Sequence, residues 1–294
     1  HDALPICDGF ENNSLATNDL KSFSYLEDGT IFSSTLKVLK TVKILDKGIY
    51  NIFAEDTSSN VEIKIKEKKI DEVKTFPLFP KKQYLDSIIK NFFDEEVRNY
   101  LIQSKTPLNF GFLLHGKEGT GKTSIIFHYL KNIVEENSAI AFILDPYNCE
   151  EYISQIWSFI SKIRKIQNNP ILIFLDECEE LFKNREATIK TILDGGDSID
   201  NVLFFASTNY LSVIPNSIKN RPSRIKYSIE IGAVKEIEVV KDIIMQIIPE
   251  ISEDDLIDLS KKLKDKTIDE IKQRCVDVIM NLDQFKTENI GFKI

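Results

Sequence analysis

Residues 116–123 read Gly-Lys-Glu-Gly-Thr-Gly-Lys-Thr, the G-x-x-x-x-G-K-T spacing of a loop that can wrap phosphate. Each residue type has a task in that chemistry. Gly116, Gly119 and Gly121 let the backbone turn tightly, so that the N–H groups of Lys117, Glu118 and Thr120 can surround an anion at a helix start. Lys122 supplies a cation for the outer phosphates, and the Thr123 hydroxyl supplies a ligand for Mg²⁺. A second set of candidates is Asp176-Glu177, directly after the apolar run Ile171-Leu172-Ile173-Phe174-Leu175. Asp176 would hold the Mg²⁺ shell, and Glu177 would act as general base toward water. Taken alone, an acidic pair there also fits a helix start, because Glu177, Glu179 and Glu180 would all favour the helix dipole. Downstream of a phosphate loop the catalytic reading prevails. Asn209 ends another apolar run, Phe204-Phe205-Ala206-Ser207-Thr208, where a neutral amide can bond both a γ-phosphate and a water. These residues imply a site for a nucleoside triphosphate.

Such groups need a scaffold, and the hydrophobic pattern describes one. Apolar runs at 110–114, 139–144, 171–175, 202–206 and 225–231 alternate with helix-length segments. Near-continuous apolar strands of this kind form a parallel sheet covered on both faces. The expected fold is therefore α/β, a P-loop core spanning 77–232. The phosphate loop would join the 110–114 strand to a helix from Thr123 to about residue 136. Upstream, 1–76 reads as a small β-rich module, with strands at 48–54 and 61–66 around the turn residues 56–60. Pro77 and Pro80 mark its boundary, and Tyr84 to Leu101 then follows helical spacing as one amphipathic helix. Beyond Gly232 the pattern is helical only, a lid over 233–294. Ser252 with Asp255 can cap one of its helices, and Thr267 with Glu270 forms a capping box for the last. That last helix would turn Ile271, Val276, Ile279 and Met280 inward.

The chain has 294 residues, 42% hydrophobic and 29% charged, enough for one nucleotide-binding core with small appendages. Its net charge of −8 speaks against broad nucleic-acid binding. Cys7, Cys149, Cys178 and Cys275 show no C-x-x-C pairing and read as free thiols in a reducing, cytoplasmic compartment. No apolar run reaches membrane-spanning length, and no basic-then-apolar leader opens the chain. The first residue is His, so residues 1–24 carry no fold argument.

The phosphate loop, Asp176-Glu177, Ser207-Thr208-Asn209 and Arg221-Pro222-Ser223-Arg224, in this order and spacing, resemble an AAA-type ATPase. Leu193-Asp194-Gly195 is similar to a Leu-Asp-Gly segment of the same family. The likeness covers roughly 80–290, and the wording Asn220-Arg221-Pro222-Ser223-Arg224 resembles phage- or large-virus-encoded members and the mitochondrial inner-membrane translocase branch. It implies ATP and Mg²⁺ as ligands and hydrolysis as the reaction. It also implies a homo-oligomeric ring, usually a hexamer, in which Arg221 and Arg224 reach the γ-phosphate bound by the neighbour. Such an arginine can contribute about 10³–10⁵ in rate, whereas a surface salt bridge, the plain alternative, is typically below about 1 kcal/mol. The N-terminal module would then recognise a protein substrate or adaptor.

Three positions depart from the family's pattern. Lys117-Glu118 stands where two prolines are common; 145–160 holds no aromatic-apolar-Gly pore loop, although Tyr147, Tyr152 and Trp157 are aromatic; and Arg274 lies inside the last helix, not at its start. Two other functions stay open at this level. One is a clamp-loader-like DNA-processing ATPase, for which Lys64, Lys66, Lys68, Lys69, Lys81 and Lys82 would meet phosphate backbones. The other is a nucleotide-gated assembly module with little turnover. No Asn-Lys-x-Asp element supports a GTPase, and a small-molecule kinase has no need of paired arginines after the Asn.

Overall fold

The computed structural model of the chain describes residues 22–25, 31–35, 38–42, 44–56, 61–71, 79, 81–194 and 200–280. Cys7, the turn at 57–60, Pro77, Pro80, Gly195 and 281–294 lie outside them. Strands β1 (Ser22–Tyr25), β2 (Ile31–Thr35) and β3 (Val38–Val42) make an antiparallel meander, and β1 pairs with β5 of the hairpin β4 (Gly48–Asp56) and β5 (Val61–Glu67). Two helices follow, α1 (Lys82–Phe93) and α2 (Glu95–Gln103). The sequence pattern predicts a single helix here. The chain breaks it at Asp94, whose backbone is extended and whose carboxylate accepts the Val97 N–H at 3.0 Å as the cap of α2.

The core then alternates strand and helix: β6 (Asn109–His115), α3 (Lys122–Asn137), β7 (Ile140–Leu144), α4 (Pro146–Ile166), β8 (Ile171–Leu175), α5 (Glu179–Asn184), α6 (Glu186–Leu193), β9 (Val202–Thr208), α7 (Asn216–Lys219) and β10 (Tyr227–Glu230). All five expected apolar runs are strands. The sheet order is β10-β6-β9-β8-β7-β4-β5-β1-β2-β3, parallel from β10 through β4 and antiparallel beyond. Side chains alternate between two cores. Phe112, Leu172, Phe174 and Phe205 face α1 and α3, while Leu113, Ile173, Leu175 and Phe204 face α4 to α6.

The strands of 48–67 do not stand apart as a sheet of their own. β4 pairs in parallel with β7, from Gly48↔Ile140 to Ile52↔Leu144. Ile49, Tyr50, Ile52 and Ala54 are buried along it, so β4 is an interior strand covered on both faces. An alternating strand such as Val61–Lys66 states which face is buried and leaves its partner open.

The lid is α8 (Ile237–Ile247), α9 (Glu253–Leu263) and α10 (Ile268–Met280). Both expected caps form: Asp255 N–H donates to Ser252 Oγ at 3.2 Å, and Thr267 and Glu270 exchange bonds of 2.7 and 3.2 Å. The inward face of α10 differs from the expected one. Ile268, Ile271, Cys275 and Val278 are buried, whereas Val276, Ile279 and Met280 are exposed. Once Ile271 faces in, the i, i+4 and i+7 geometry puts Cys275 and Val278 beside it.

Candidate active site

The carboxyl ends of β6, β8 and β9 bring the three sequence candidates into one cleft of about 310 Å³. It is lined by Gly119, Gly121, Lys122, Thr123, Asp176, Glu177, Asn209 and Asp269, with Glu118 at its rim. Gly119 and Gly121 hold φ of +72° and +88°, a region most side chains avoid. A side chain at Gly121 would also press on Phe79 and Ile268. The Thr120 hydroxyl donates to Lys117 O at 2.9 Å and ties the loop to itself. Gly116 N–H donates to Thr208 O at 3.3 Å, which anchors the loop's first residue to β9.

Lys122 is buried. Its ammonium donates three times, to Gly116 O and Lys117 O at 2.8 Å each and to Asn209 Oδ1 at 2.6 Å. Burial holds its pKa below the ordinary lysine value, against the opposing pull of Asp176, Glu179, Glu118 and Glu177. The Thr123 hydroxyl donates to Asp176 Oδ2 at 2.9 Å, and the Ser207 hydroxyl donates to the other oxygen of the same carboxylate. Glu177 is exposed at the cleft wall with φ +49°, and its N–H donates to Ser207 Oγ at 3.3 Å. The residues fit the expected ligands. The glycine loop leads directly into the start of α3, where an anion is favoured, and Thr123 with Asp176 forms an adjoining pair of hard oxygens of the kind Mg²⁺ takes.

The two arginines part company. Arg224 is buried and donates to both oxygens of Asp194, at 2.9 and 2.6 Å, and to Ser217 O. Arg221 is exposed, and its nearest approach to Asp194 is 3.9 Å. Among the described residues neither arginine lines the cleft of its own chain. Arg224 is thus held within the chain by Asp194 while Arg221 reaches solvent, so the two stand in different environments. Three partners had no role at the level of sequence: Glu179, which accepts from Thr208 Oγ1 and Asn209 N–H; Asp194, which holds Arg224; and Asp269, whose N–H donates to Gly119 O at 3.0 Å from the lid. In the sequence Glu179 reads only as an acid near a helix start, and nothing singles out Asp269.

Residues 112–233 match the family "ATPase family associated with various cellular activities (AAA)". The chain carries an AAA ATPase domain. It is 30% identical over 141 residues to Protein CdcH of Halobacterium salinarum, covering 43% of this chain and 18% of that protein. It is 29% identical over 163 residues to ATPase family gene 2 protein of Saccharomyces cerevisiae, covering 49% and 20%. It is 27% identical over 143 residues to a Bifidobacterium adolescentis protein named AAA ATPase forming ring-shaped complexes, covering 41% and 28%. The chain thus spans about a fifth to a quarter of the length of these relatives. The crystal structure of the FIGL-1 AAA domain in complex with ADP superposes with a TM-score of 0.53 at 17% identity, covering 76% of this chain and 78% of that one, which shows a shared fold.

Around this AAA domain the family departures take physical form. β7 ends at Leu144 and α4 begins at Pro146, with only Asp145 between them as the cap that accepts Tyr147 N–H at 3.0 Å. Asn148 then bonds both backbone polar atoms of Ala54, at 2.9 and 3.0 Å, which fixes the turn to β4. Tyr147 is 77% exposed, whereas Trp157 is buried and Tyr152 packs against the same core. Arg274 lines a groove with Lys262, Lys266 and Glu270 on the lid, away from the phosphate cleft. Cys149, Cys178 and Cys275 are free and buried, and burial pushes the Cys149 thiol up to about 12. No helix among the described residues is long and apolar enough to cross a membrane.

Proposed function

We propose that this chain is an Mg²⁺-dependent ATP hydrolase that works as a ring, with a hexamer favoured, and remodels a macromolecule. One observation carries the reading: Lys122, Thr123, Asp176, Glu177 and Asn209 converge on one cleft, with the phosphate lysine already bonded to the Asn209 amide. The glycine loop binds the phosphates, Lys122 compensates their charge, and Asn209 orients the terminal phosphate and a water. Glu177, on the open wall, takes the proton from that water. Mg²⁺, held by Thr123 and Asp176, would supply neutralisation of the charge that develops on the phosphate oxygens.

Ring formation is supported by the relative named for ring-shaped complexes and by the exposed guanidinium of Arg221, 59% exposed on the side chain and only loosely paired with Asp194. We assign Arg221 the role in the neighbour's site. Arg224 positions its loop in the resting chain. The core over 77–232, completed by β4 and β5 on its sheet, and the lid from 233 act as the hydrolytic unit, and the lid reads occupancy through the bond from Asp269 to the phosphate loop. The N-terminal strands serve as the surface toward a protein substrate or adaptor. Nucleic acid is the weaker reading, because Lys64 pairs with Glu55, Lys82 pairs with Asp86, and Lys68 lies over the Phe127 ring.

The test is the ATP hydrolysis rate per subunit across a wide range of protein concentration, with Glu177→Gln as the blank. A rate that climbs with concentration is expected if a neighbour completes the site. A rate no higher than the blank while the ring forms would overturn hydrolysis in favour of nucleotide-gated assembly.

A further inference from the structure

The ladder between β8 and β9 ends at Leu175↔Ala206. Beyond it the segments that carry Asp176-Glu177 and Thr208-Asn209 are joined by other bonds. Cys178 N–H donates to Ser207 O at 3.0 Å, and Ser207 Oγ donates to Asp176. The outermost link is Glu179, in the first turn of α5. A single oxygen, Oε1, accepts the Thr208 hydroxyl at 2.6 Å and the Asn209 backbone N–H at 2.8 Å. The same Thr208 hydroxyl accepts Tyr210 N–H at 3.0 Å, so the whole turn after β9 hangs on that carboxylate. The side chain of Asn209 faces the other way, with Oδ1 on Lys122 Nζ.

An acid at a helix start is ordinarily explained by the dipole, and Glu180, next in the chain and exposed, satisfies that explanation. Glu179 does not point to solvent. It is half-buried, and it makes charge-assisted bonds, about twice the strength of neutral ones, to the residue whose amide touches the phosphate lysine. Without that acceptor, the Asn209 N–H and the Thr208 hydroxyl lose their common anchor, and the amide is free to leave Lys122. We propose that Glu179 is a positioning residue that fixes the Asn209 amide beside Lys122 and thereby sets how well the site prefers a nucleoside triphosphate over the diphosphate. The inference rests on the reading of this cleft as an ATP site.

The experiment measures Mg²⁺-dependent affinity for a non-hydrolysable ATP analogue and for ADP, and takes the ratio. Wild type, Asn209→Ala, Glu179→Ala, the double variant, Glu179→Gln and Thr208→Val are compared, each checked by thermal melting. Asn209→Ala and Glu179→Ala are expected to lower the ratio by similar factors, about tenfold, with no further drop in the double variant. Glu179→Gln retains an oxygen acceptor and should stay within about threefold of wild type, since only the charge assistance is lost. Thr208→Val, which keeps the carboxylate, should lower the ratio less and not add to Asn209→Ala; it carries the test if Glu179→Ala fails to fold. An unchanged ratio in Glu179→Ala, multiplying effects in the double variant, or a Glu179→Gln as poor as Glu179→Ala would each overturn the inference. So would a wild type without triphosphate preference. Wild-type turnover measured in parallel separates the two readings, because a chain that binds but does not hydrolyse loses the hydrolase reading and leaves the affinity ratios intact.

Discussion

Arg224 grips Asp194 with two nitrogens, Nε to Oδ1 at 2.9 Å and Nη2 to Oδ2 at 2.6 Å, while Arg221 stays 3.9 Å from the same carboxylate. One arginine is 7% exposed and the other 59%, so their removal should have opposite signatures. Arg224→Ala leaves Asp194 without its main partner and should cost on the order of 2–3 kcal/mol in urea unfolding. Arg221→Ala should leave stability within about 0.5 kcal/mol, retain ATP binding, and lower turnover by about 10³. The pair also predicts a pH dependence. The hydrogen bonds from Arg224, aided by its charge and that of Arg221, hold the Asp194 carboxyl below its ordinary 3.8. Its contribution is therefore present above that pH and lost as pH falls through the lower, folded value. Equal turnover losses in both arginine variants, with both folds intact, would return Arg224 to the role of a finger.

Glu177 sits at φ +49°, a conformation that costs a residue with a Cβ about 1 kcal/mol. The general-base role proposed for Glu177, placed on a strained backbone, predicts a trade between stability and activity. Glu177→Gly should raise stability by about 0.5 kcal/mol and abolish turnover, whereas Glu177→Gln should abolish turnover with no gain. Chemical denaturation of the two variants side by side decides the matter. A glycine variant less stable than the glutamine one would mean that the backbone is not strained.

The phosphate loop was legible because its chemistry is contiguous: eight consecutive residues, 116–123, state both the ligand and the turn. The parallel strands were legible because burial on both faces removes alternation and leaves runs such as Ile171–Leu175. What stayed hidden was set by partners far away in the chain. Nothing in Gly48–Asp56 states that its neighbour is β7, some ninety residues on. Arg-Pro-Ser-Arg reads as two equal exposed cations until Asp194 is seen to bury one of them. Glu179 resembles its neighbours Glu177 and Glu180, and only the turn after β9 tells it apart. The buried face of α10 differs from the expected one because Val276, Ile279 and Met280 are apolar without being buried.

Lys122 carries its charge in a buried position, and this gives nucleotide affinity and chain stability opposite slopes with pH. Its pKa is lowered from the ordinary 10.5, chiefly by burial. As pH rises through that lowered value the ammonium is lost and affinity for a triphosphate should fall, in a range where a surface lysine stays charged. Over the same range the free chain should gain stability, because the unfolded state still holds the proton that the folded state has released. Nucleotide binding there should take up a proton, seen as a buffer-dependent heat in calorimetry. A binding heat independent of buffer throughout the alkaline range would show that the lysine is not perturbed.

The N-terminal strands give the last expectation, and it sets a break at residue 77 against one before β4. β4 runs between β7 and β5, and Ile49, Tyr50, Ile52, Ala54, Ile63 and Ile65 are buried against the core helices and strands. At roughly 1.5–3 kcal/mol for each large apolar side chain, their removal forfeits on the order of 10 kcal/mol, comparable with the whole stability of a typical domain. It would also leave the β7 edge unpaired, with its N–H and C=O groups open to other chains. A fragment of residues 77–294 should therefore be insoluble or unfolded, while one of residues 44–294, which keeps β4 and β5, should fold and bind nucleotide. Circular dichroism and nucleotide binding on the two fragments test this directly. A folded, nucleotide-binding 77–294 would make β4 an appendage that the core can shed, whereas failure of 77–294 alone would make it a structural strand of the ATPase sheet.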